Sequence, residues 1–345
     1  MTTRVAIIGL GATGRAIACA LLRRTDVTVV GACDHGPTTV GADLGAVLGV
    51  GSVGVTVVSD LESLPPADLA VVATTSDLNH VAQTLIPLLK RSYNVMSICE
   101  ELAYPWMSHP ELATRLHETA LANGVSVLGT GANPGILMDT LPLLLAALTQ
   151  RVESVTIRRR TSMSRYGAIL PKFGLGLTAD EFSTARDAGK VLGHHGFEQA
   201  IAALSSGLGW RLDAIEVDPV IPAIISATTR VGDHVTIHPG QIASVTHAAR
   251  GLRHGKSVID LEIMFGFFDA GDAVTVGDDY VIVGDDQVLE LSAATGFESM
   301  LSTVAAAANT AVSVVAAESG LLSMGDLPVR ALTSKGHLLA EEPQR

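Results

Sequence analysis

Residues 5–8, Val-Ala-Ile-Ile, form an unbroken apolar run rich in β-branched side chains, as a strand buried on both faces requires. From Arg15 the apolar positions shift to helical spacing at Ile17, Cys19, Ala20 and Leu21, interrupted only at Arg23 and Arg24. The same alternation recurs over the first 150 residues. Strands are predicted at 27–33, 55–59, 68–74, 94–98 and 125–128, and helices at 78–90 and 109–123. Residues 40–45 read as a short helix or turn. Ser108 is the expected N-cap of the second of these helices, just before His109-Pro110, and Asn123-Gly124 is its stop signal. After the glycine-rich run 129–135, a long apolar helix is expected to about residue 150. Strands and helices alternating at these lengths predict an α/β fold with a doubly wound parallel sheet.

Near residue 151 the pattern changes. Residues 152–160 alternate, as a strand with one wet face does. Helices are predicted at 179–192 and 196–207, and strands at 211–217, 227–237, 257–266 and 273–283. This part reads as a second, α+β domain with a largely antiparallel sheet and helices on one face. A last helix at 298–317 is built from Ala, Val and Thr, and its small side chains predict close packing back onto the first domain.

The junction between the first strand and helix carries a chemical signal. Gly9, Gly11 and Gly14 stand at GxGxxG spacing between strand and helix, the order a dinucleotide fingerprint requires. The turn Gly9, Leu10, Gly11, Ala12, Thr13, Gly14 would bring backbone close to a pyrophosphate at a helix N-terminus. Asp34 ends the second strand, twenty residues after Gly14, where a carboxylate can accept from an adenosine ribose. Residues 1–150 are therefore expected to be a dinucleotide-binding Rossmann domain. Residues 151–297 would be a substrate and dimerisation domain, and 318–345 a C-terminal segment with a mobile tail from Thr333. In a doubly wound sheet, ligands bind beyond the carboxyl ends of the strands. That rule puts Thr74, Thr75 and Ser76, then Cys99, Glu100, Glu101 and Tyr104, then Asn133, along the cofactor cleft.

Composition narrows the partners. The formal charge of −12 argues against nucleic acid, since only Arg158-Arg159-Arg160 is locally basic. Three scattered cysteines cannot make a disulfide framework. No signal peptide or membrane span is expected, which points to a cytoplasmic enzyme. A mean hydropathy of +0.38 with 4% aromatic residues hints at apolar surface buried between subunits.

Glu100-Glu101 is the most informative pair. Carboxylates directly after a buried apolar strand border a low-dielectric pocket, where acid/base work is favoured. If the backbone is still extended there, only one of the two side chains enters the cleft. The plainer alternative is that both cap the following turn. His194-His195, His234, His238, His247 and His254 show no ligand spacing, so no metal is expected. No GxSxG elbow supports hydrolysis.

The segments Asn94-Val-Met-Ser-Ile-Cys-Glu-Glu-Leu-Ala-Tyr-Pro105 and Gly129-Thr-Gly-Ala-Asn-Pro-Gly-Ile-Leu-Met-Asp139 resemble 2,4-diaminopentanoate dehydrogenases and related NAD(P)-dependent amine dehydrogenases. These are similar in fold to dihydrodipicolinate reductase. The resemblance continues through Gly193-His-His-Gly-Phe197, Pro239-Gly-Gln241 and Gly320-Leu-Leu-Ser-Met-Gly-Asp-Leu-Pro328. It implies oxidative deamination of an amine or, in reverse, reductive amination of a ketone or aldehyde with ammonia. It further implies a homodimer and a glutamate acid/base, with Glu101 placed ahead of Glu100. NAD or NADP would be the cofactor, NAD being preferred because the charge of Asp34 repels a 2′-phosphate. Tyr104, Trp106, Ile136, Leu137, Met138 and Tyr166 would suit a small aliphatic amine. Arg160, Arg165 or Lys172 would have to anchor a carboxylate if the substrate were a diamino acid. A cyclic imine reductase and a non-catalytic cofactor sensor are the alternatives. His194-His195 lacks the proline-serine-glycine-threonine sequel of true dihydrodipicolinate reductases, which argues against their substrate.

Overall fold

The computed structural model describes residues 2–167, 169–329 and 331. The expected mobile tail from Thr333 lies outside the described residues. In chain order the first elements are β1 (Thr3–Ile8), α1 (Ala12–Leu22), β2 (Val27–Cys33), α2 (Leu44–Leu48), β3 (Val57–Val58) and β4 (Leu69–Val72). They continue with α3 (Leu78–Lys90), β5 (Asn94–Ser97), a 3₁₀ turn at Glu100–Leu102, α4 (Pro110–Asn123) and β6 (Ser126–Gly129). Then come α5 (Thr140–Ala146), β7 (Val152–Ser162), α6 (Leu170–Phe173), α7 (Ala179–Asp187) and α8 (Phe197–Gly207). Strands β8 (Ala214–Val217), β9 (Ile221–Ile225), β10 (Arg230–Val231) and β11 (Thr236–Ile237) follow, and the long pair β12 (Ile242–Arg253) and β13 (Lys256–Gly266) comes next. The last are β14 (Gly277–Gly284), β15 (Val288–Ala293), α9 (Ser299–Val315) and β16 (Gly320–Leu322).

The chain forms two compact units, Met1–Leu137 with Ser299–Arg345, and Met138–Glu298. The first holds a seven-stranded, wholly parallel sheet in the order β16-β6-β5-β4-β1-β2-β3. Every residue of β4 is buried, which is why its run is apolar without alternation. Leu85, Leu88 and Leu89 of α3 and Leu116 of α4 cover one face of the sheet. Ile17 and Leu21 of α1 with Ala307, Ala311 and Val314 of α9 cover the other. The alanines of α9 thus pack against α1, as their small size predicted.

Several elements differ from expectation for identifiable reasons. The N-cap of α4 is His109, not Ser108, because Pro110 occupies the first helical turn and sets its start. The long helix expected to residue 150 shrinks to α5, Thr140–Ala146, since non-helical Asp139 caps its start by accepting from the Thr140 N–H. With it the unit boundary moves from 150/151 to 137/138, because Met138 and the leucines of α5 join the second core. The helix expected to residue 192 ends at Asp187, and Gly189 beyond it adopts φ 68°. Strand β16 adds a seventh parallel strand within the segment expected to be only a C-terminal extension.

The second unit is built on another seven-stranded sheet, β15-β14-β7-β13-β12-β8 with β9 on β12. Its pairs are antiparallel except β7 with β13. Strands β12, β9 and β15 stand where no strand was expected, and the strand expected at 227–237 is only the two-residue pair β10 and β11. Phe173, Phe182, Phe197, Ile201 and Leu204 from α6, α7 and α8 pack on β12 and β13 to form its core. Among the described residues, no helix is long and apolar enough to cross a membrane.

Candidate active site

The adjacency of β6, β5, β4, β1 and β2 lines up their carboxyl ends along one edge of the first unit. The fingerprint turn occupies the β1 position. Gly9 has φ +90°, and a Cβ there would lie 2.5 Å from the Ala73 carbonyl oxygen. A Cβ on Gly14 would sit 2.0 Å from the Gly9 oxygen, so glycine alone lets α1 approach the turn. Around Gly11 nothing stands within 4 Å. Its missing side chain serves no neighbour in the protein, and it leaves open space before the α1 N-terminus. That end has no side-chain cap and no acidic residue in its first turn. An uncapped, partly positive helix end facing open space fits a pyrophosphate. Exposed Ala12 and half-buried Thr13 form its first turn.

Asp34 closes the cradle from the end of β2. Its Oδ2 accepts from the Leu10 N–H at 2.5 Å and its Oδ1 from the Gly36 N–H at 2.7 Å. Burial opposes its charge, but these N–H groups, that of His35 and the Thr39 hydroxyl outweigh it and hold the carboxyl below its usual range. The ionised Asp34 thus fastens the fingerprint turn.

The ends of β4 and β5 are stapled together. Ser97 Oγ donates to the Val72 carbonyl at 2.9 Å and accepts from the Cys99 N–H at 3.1 Å. The Cys99 thiol donates to the Ser76 carbonyl at 3.1 Å. Burial, reinforced by Glu100 and Glu101, pushes that thiol up to about 12, so it stays protonated. Glu101 Oε2 accepts from the Leu78 N–H at 2.7 Å, at the start of α3. It also lies 3.7 Å from His109 Nε2, and the two side chains are 17% and 22% exposed. Thr74, Thr75 and Ser76 therefore share one rim with the carboxylates, and Thr74 Cγ2 lies beside Gly9. The backbone at the glutamates is a 3₁₀ turn, not extended, so the expected opposition of the two side chains across a strand does not hold. Their directions differ by roughly a third of a revolution.

Gly129 explains how this turn is seated. A Cβ on it would meet Leu102 C and Ala103 N at 2.4 Å, so the turn lies directly on the end of β6. The loop beyond carries Asn133, whose bond to Pro134 is cis, and is tied to α9 by Ala132 N–H donating to Thr303 Oγ1 at 3.0 Å. Thr303 and His109 were not singled out from the sequence. Thr303 sat in an alanine-rich helix, and His109 read only as the residue after a cap.

Of the expected pocket residues, Tyr104, Trp106, Ile136 and Leu137 belong to the first unit. Trp106 is 36% exposed and packs edge-to-face on His117 of α4. Ile136 packs against the core between α1 and α9. Met138 and Tyr166 belong to the core of the second unit, where Tyr166 donates to Glu298. Arg160 is held by Asp279 and the Thr275 carbonyl, while Arg165 and Lys172 are exposed. Buried Arg159 is paired with buried Asp278 at 3.2 Å. The His194 backbone N–H donates to His247 Nδ1 at 2.9 Å, and burial drives both imidazoles below their ordinary range. Among the described residues, no three metal-ligating side chains converge.

Comparison with known proteins identifies the family. A family model described as the 2,4-diaminopentanoate dehydrogenase C-terminal domain matches residues 136–339, and one described as the dihydrodipicolinate reductase N-terminus matches residues 3–92. A 2,4-diaminopentanoate dehydrogenase of Acetoanaerobium sticklandii is 30% identical over 338 residues, covering 94% of this chain and 93% of its own. The structure of an amine dehydrogenase from Mycobacterium smegmatis matches with a TM-score of 0.82 at 26% identity, over 96% of this chain and 98% of that one. A probable dehydrogenase from Thermotoga maritima shares the fold at a TM-score of 0.56 and 14% identity, over 94% and 92% of the two chains. The chain belongs to the 2,4-diaminopentanoate dehydrogenase family, oxidoreductases acting on CH–NH2 groups.

Proposed function

We propose that this protein is an NAD(P)-dependent amine dehydrogenase that interconverts a small amine with a ketone or aldehyde and ammonia. The observation that carries the reading is a half-buried carboxylate, Glu101, fixed on the same strand-end rim as an open phosphate cradle. The nicotinamide supplies hydride transfer when bound. Gly9, Gly11 and Gly14 receive the phosphates, and Asp34 faces the ribose. An ionised Asp34 repels a 2′-phosphate, which favours NAD over NADP. Glu101 takes a proton from ammonium as the amine attacks the carbonyl, assists departure of water, and stabilises the iminium cation that accepts hydride. Tyr104 and Leu137 offer an apolar lining for a small aliphatic group.

A diamino acid is the second reading, since the A. sticklandii relative bears the name 2,4-diaminopentanoate dehydrogenase. Such a substrate needs a cationic anchor for its carboxylate. Of the expected anchors, Arg160 is already held by Asp279, which leaves exposed Arg165 and Lys172 to serve. The test is oxidation of NADH, and separately NADPH, by small ketones and aldehydes with and without high ammonium. Turnover that requires ammonium and runs faster with NADH is expected. Ammonium-independent turnover would overturn the proposal, and equal efficiency with NADPH would remove the cofactor preference.

A further inference from the structure

The proposed reaction has a proton to dispose of. In oxidative deamination an alkylammonium ion, oxidised nicotinamide and water give a carbonyl compound, ammonium ion, reduced nicotinamide and one proton. The C–H bond breaks with its electron pair leaving as hydride, and the C–N bond is replaced by C=O from water. One proton must leave the cleft in each turnover, and one must enter in the reverse direction. A carboxylate that is 17% exposed and bonded to the Leu78 N–H is poorly placed to trade that proton directly with bulk water.

We infer that His109 is the positioning and proton-passing residue for Glu101, forming with Ser108 a path from the cleft carboxylate to solvent; this rests on Glu101 being the acid/base. His109 Nε2 lies 3.7 Å from Glu101 Oε2, and its Nδ1 lies 3.0 Å from Ser108 Oγ. Exposure rises along the file, from 17% at Glu101 to 22% at His109 to an exposed Ser108. Once the 3.7 Å gap closes to hydrogen-bond distance or is bridged by one water, the imidazole accepts at one nitrogen while it donates at the other, so a proton from Glu101 leaves on the Ser108 side. The main chain of His109 is fixed on both sides. The His109 N–H donates to the Pro105 carbonyl at 2.8 Å, and the His109 carbonyl accepts the Ala113 N–H at 2.8 Å as α4 begins. As an N-cap, His109 is a weak choice, because its side chain makes no capping bond to the helix. Capping therefore does not explain why a histidine stands here. The other titratable groups on the elements packed around the pair are Cys99 and Glu100 of the same turn, and Tyr104 in the loop beyond it. Asp77 and His80 stand at the start of α3 and Glu111 in the first turn of α4, with Lys90 further along α3 and Arg115, His117 and Glu118 further along α4.

Three variants of the full-length protein, assayed for ammonium-dependent NADH oxidation across pH, test this. H109N supplies a good N-cap that cannot relay a proton, so α4 is preserved. It should lower kcat at least about tenfold and change the pH–rate profile, with Tm and the Kd for NADH unchanged. H109A should behave alike, and added imidazole should restore its rate in a saturable manner. E101Q should be inactive with or without imidazole. Wild-type kcat and pH profile in H109N and H109A would overturn the inference while leaving Glu101 its role. Loss of activity in H109A that imidazole does not restore would overturn it as well, because mere packing predicts that result. Full activity in E101Q would instead overturn the parent reading.

Discussion

The neighbouring carboxylates Glu100 and Glu101 differ more in their surroundings than in their chemistry. Glu101 is anchored by the Leu78 N–H and His109, whereas Glu100 takes the first, half-buried position of the 3₁₀ turn. Replacing Glu101 by Gln keeps an amide oxygen that can still accept from Leu78, so the anchor survives while the charge and the exchangeable proton are lost. E101Q should therefore lower kcat by about 10²–10⁴-fold with Tm within a few degrees of wild type. E100Q should fall by far less. Steady-state kinetics with thermal melts on both variants decide between them, and equal losses would mean that the turn matters but no single carboxylate does. The sequence reading put this pair after a buried strand, and in the structure it forms the 3₁₀ turn that follows β5. The sequence could not show the direction of either side chain, because a 3₁₀ turn of three residues leaves no periodicity to read.

Elements were legible where burial imposed a period and illegible where small or polar residues masked it. Strand β4 and helix α3 came through because Leu69–Val72 is wholly buried and the buried leucines of α3 recur at helical spacing. Strand β12 did not, although its twelve residues form one of the two longest strand pairings of the second sheet. Its Ser244, Thr246, His247, Ala248 and Gly251 give neither alternation nor an apolar run. Strand β16 has only three residues, too few for any pattern. Glycine was the better guide to how elements meet. Gly129 read merely as part of a loop, yet it is the point where the glutamate turn rests on β6. A methyl group 2.4 Å from Leu102 C and Ala103 N meets backbone, which cannot swing aside as a side chain can. G129A should thus cost about 1–3 kcal/mol of stability. It should also lower kcat more than it weakens NADH binding, since the fingerprint turn lies on another strand. Calorimetry with NADH titration checks this, and a wild-type kcat would show that the turn can shift without consequence.

At the scale of the whole molecule, two cores and two classes of displaced pKa set the response to acid. His194 and His247, both in the second unit, are held below their ordinary range chiefly by burial, so the folded protein keeps them neutral where the unfolded chain protonates them. The unfolded state then binds more protons as pH falls below about 6.5, and stability declines from there. Asp34 in the first unit, and Asp272 and Asp279 in the second, have carboxyls held below the ordinary 3.8. Burial opposes the charge of Asp34 but is outweighed by hydrogen bonds from Gly36 and Leu10, while bonds from Arg230 and Arg160 lead at the other two. Their contribution is present above the unfolded value and is lost only as pH falls below it. Acid should accordingly act in two stages. Between pH 7 and 5.5 both histidines should lower stability, and Tm should fall with pH. A second, steeper loss should begin near pH 4. Unfolding of two separate cores need not be a single transition, and the first stage should appear in the transition that reports the second unit. H247N preserves an acceptor for the His194 N–H and removes one titrating ring, so it should flatten the slope between pH 7 and 5.5. Differential scanning calorimetry at half-unit pH intervals makes the measurement. A slope unchanged in H247N would mean that the histidine pair is not what acid first attacks.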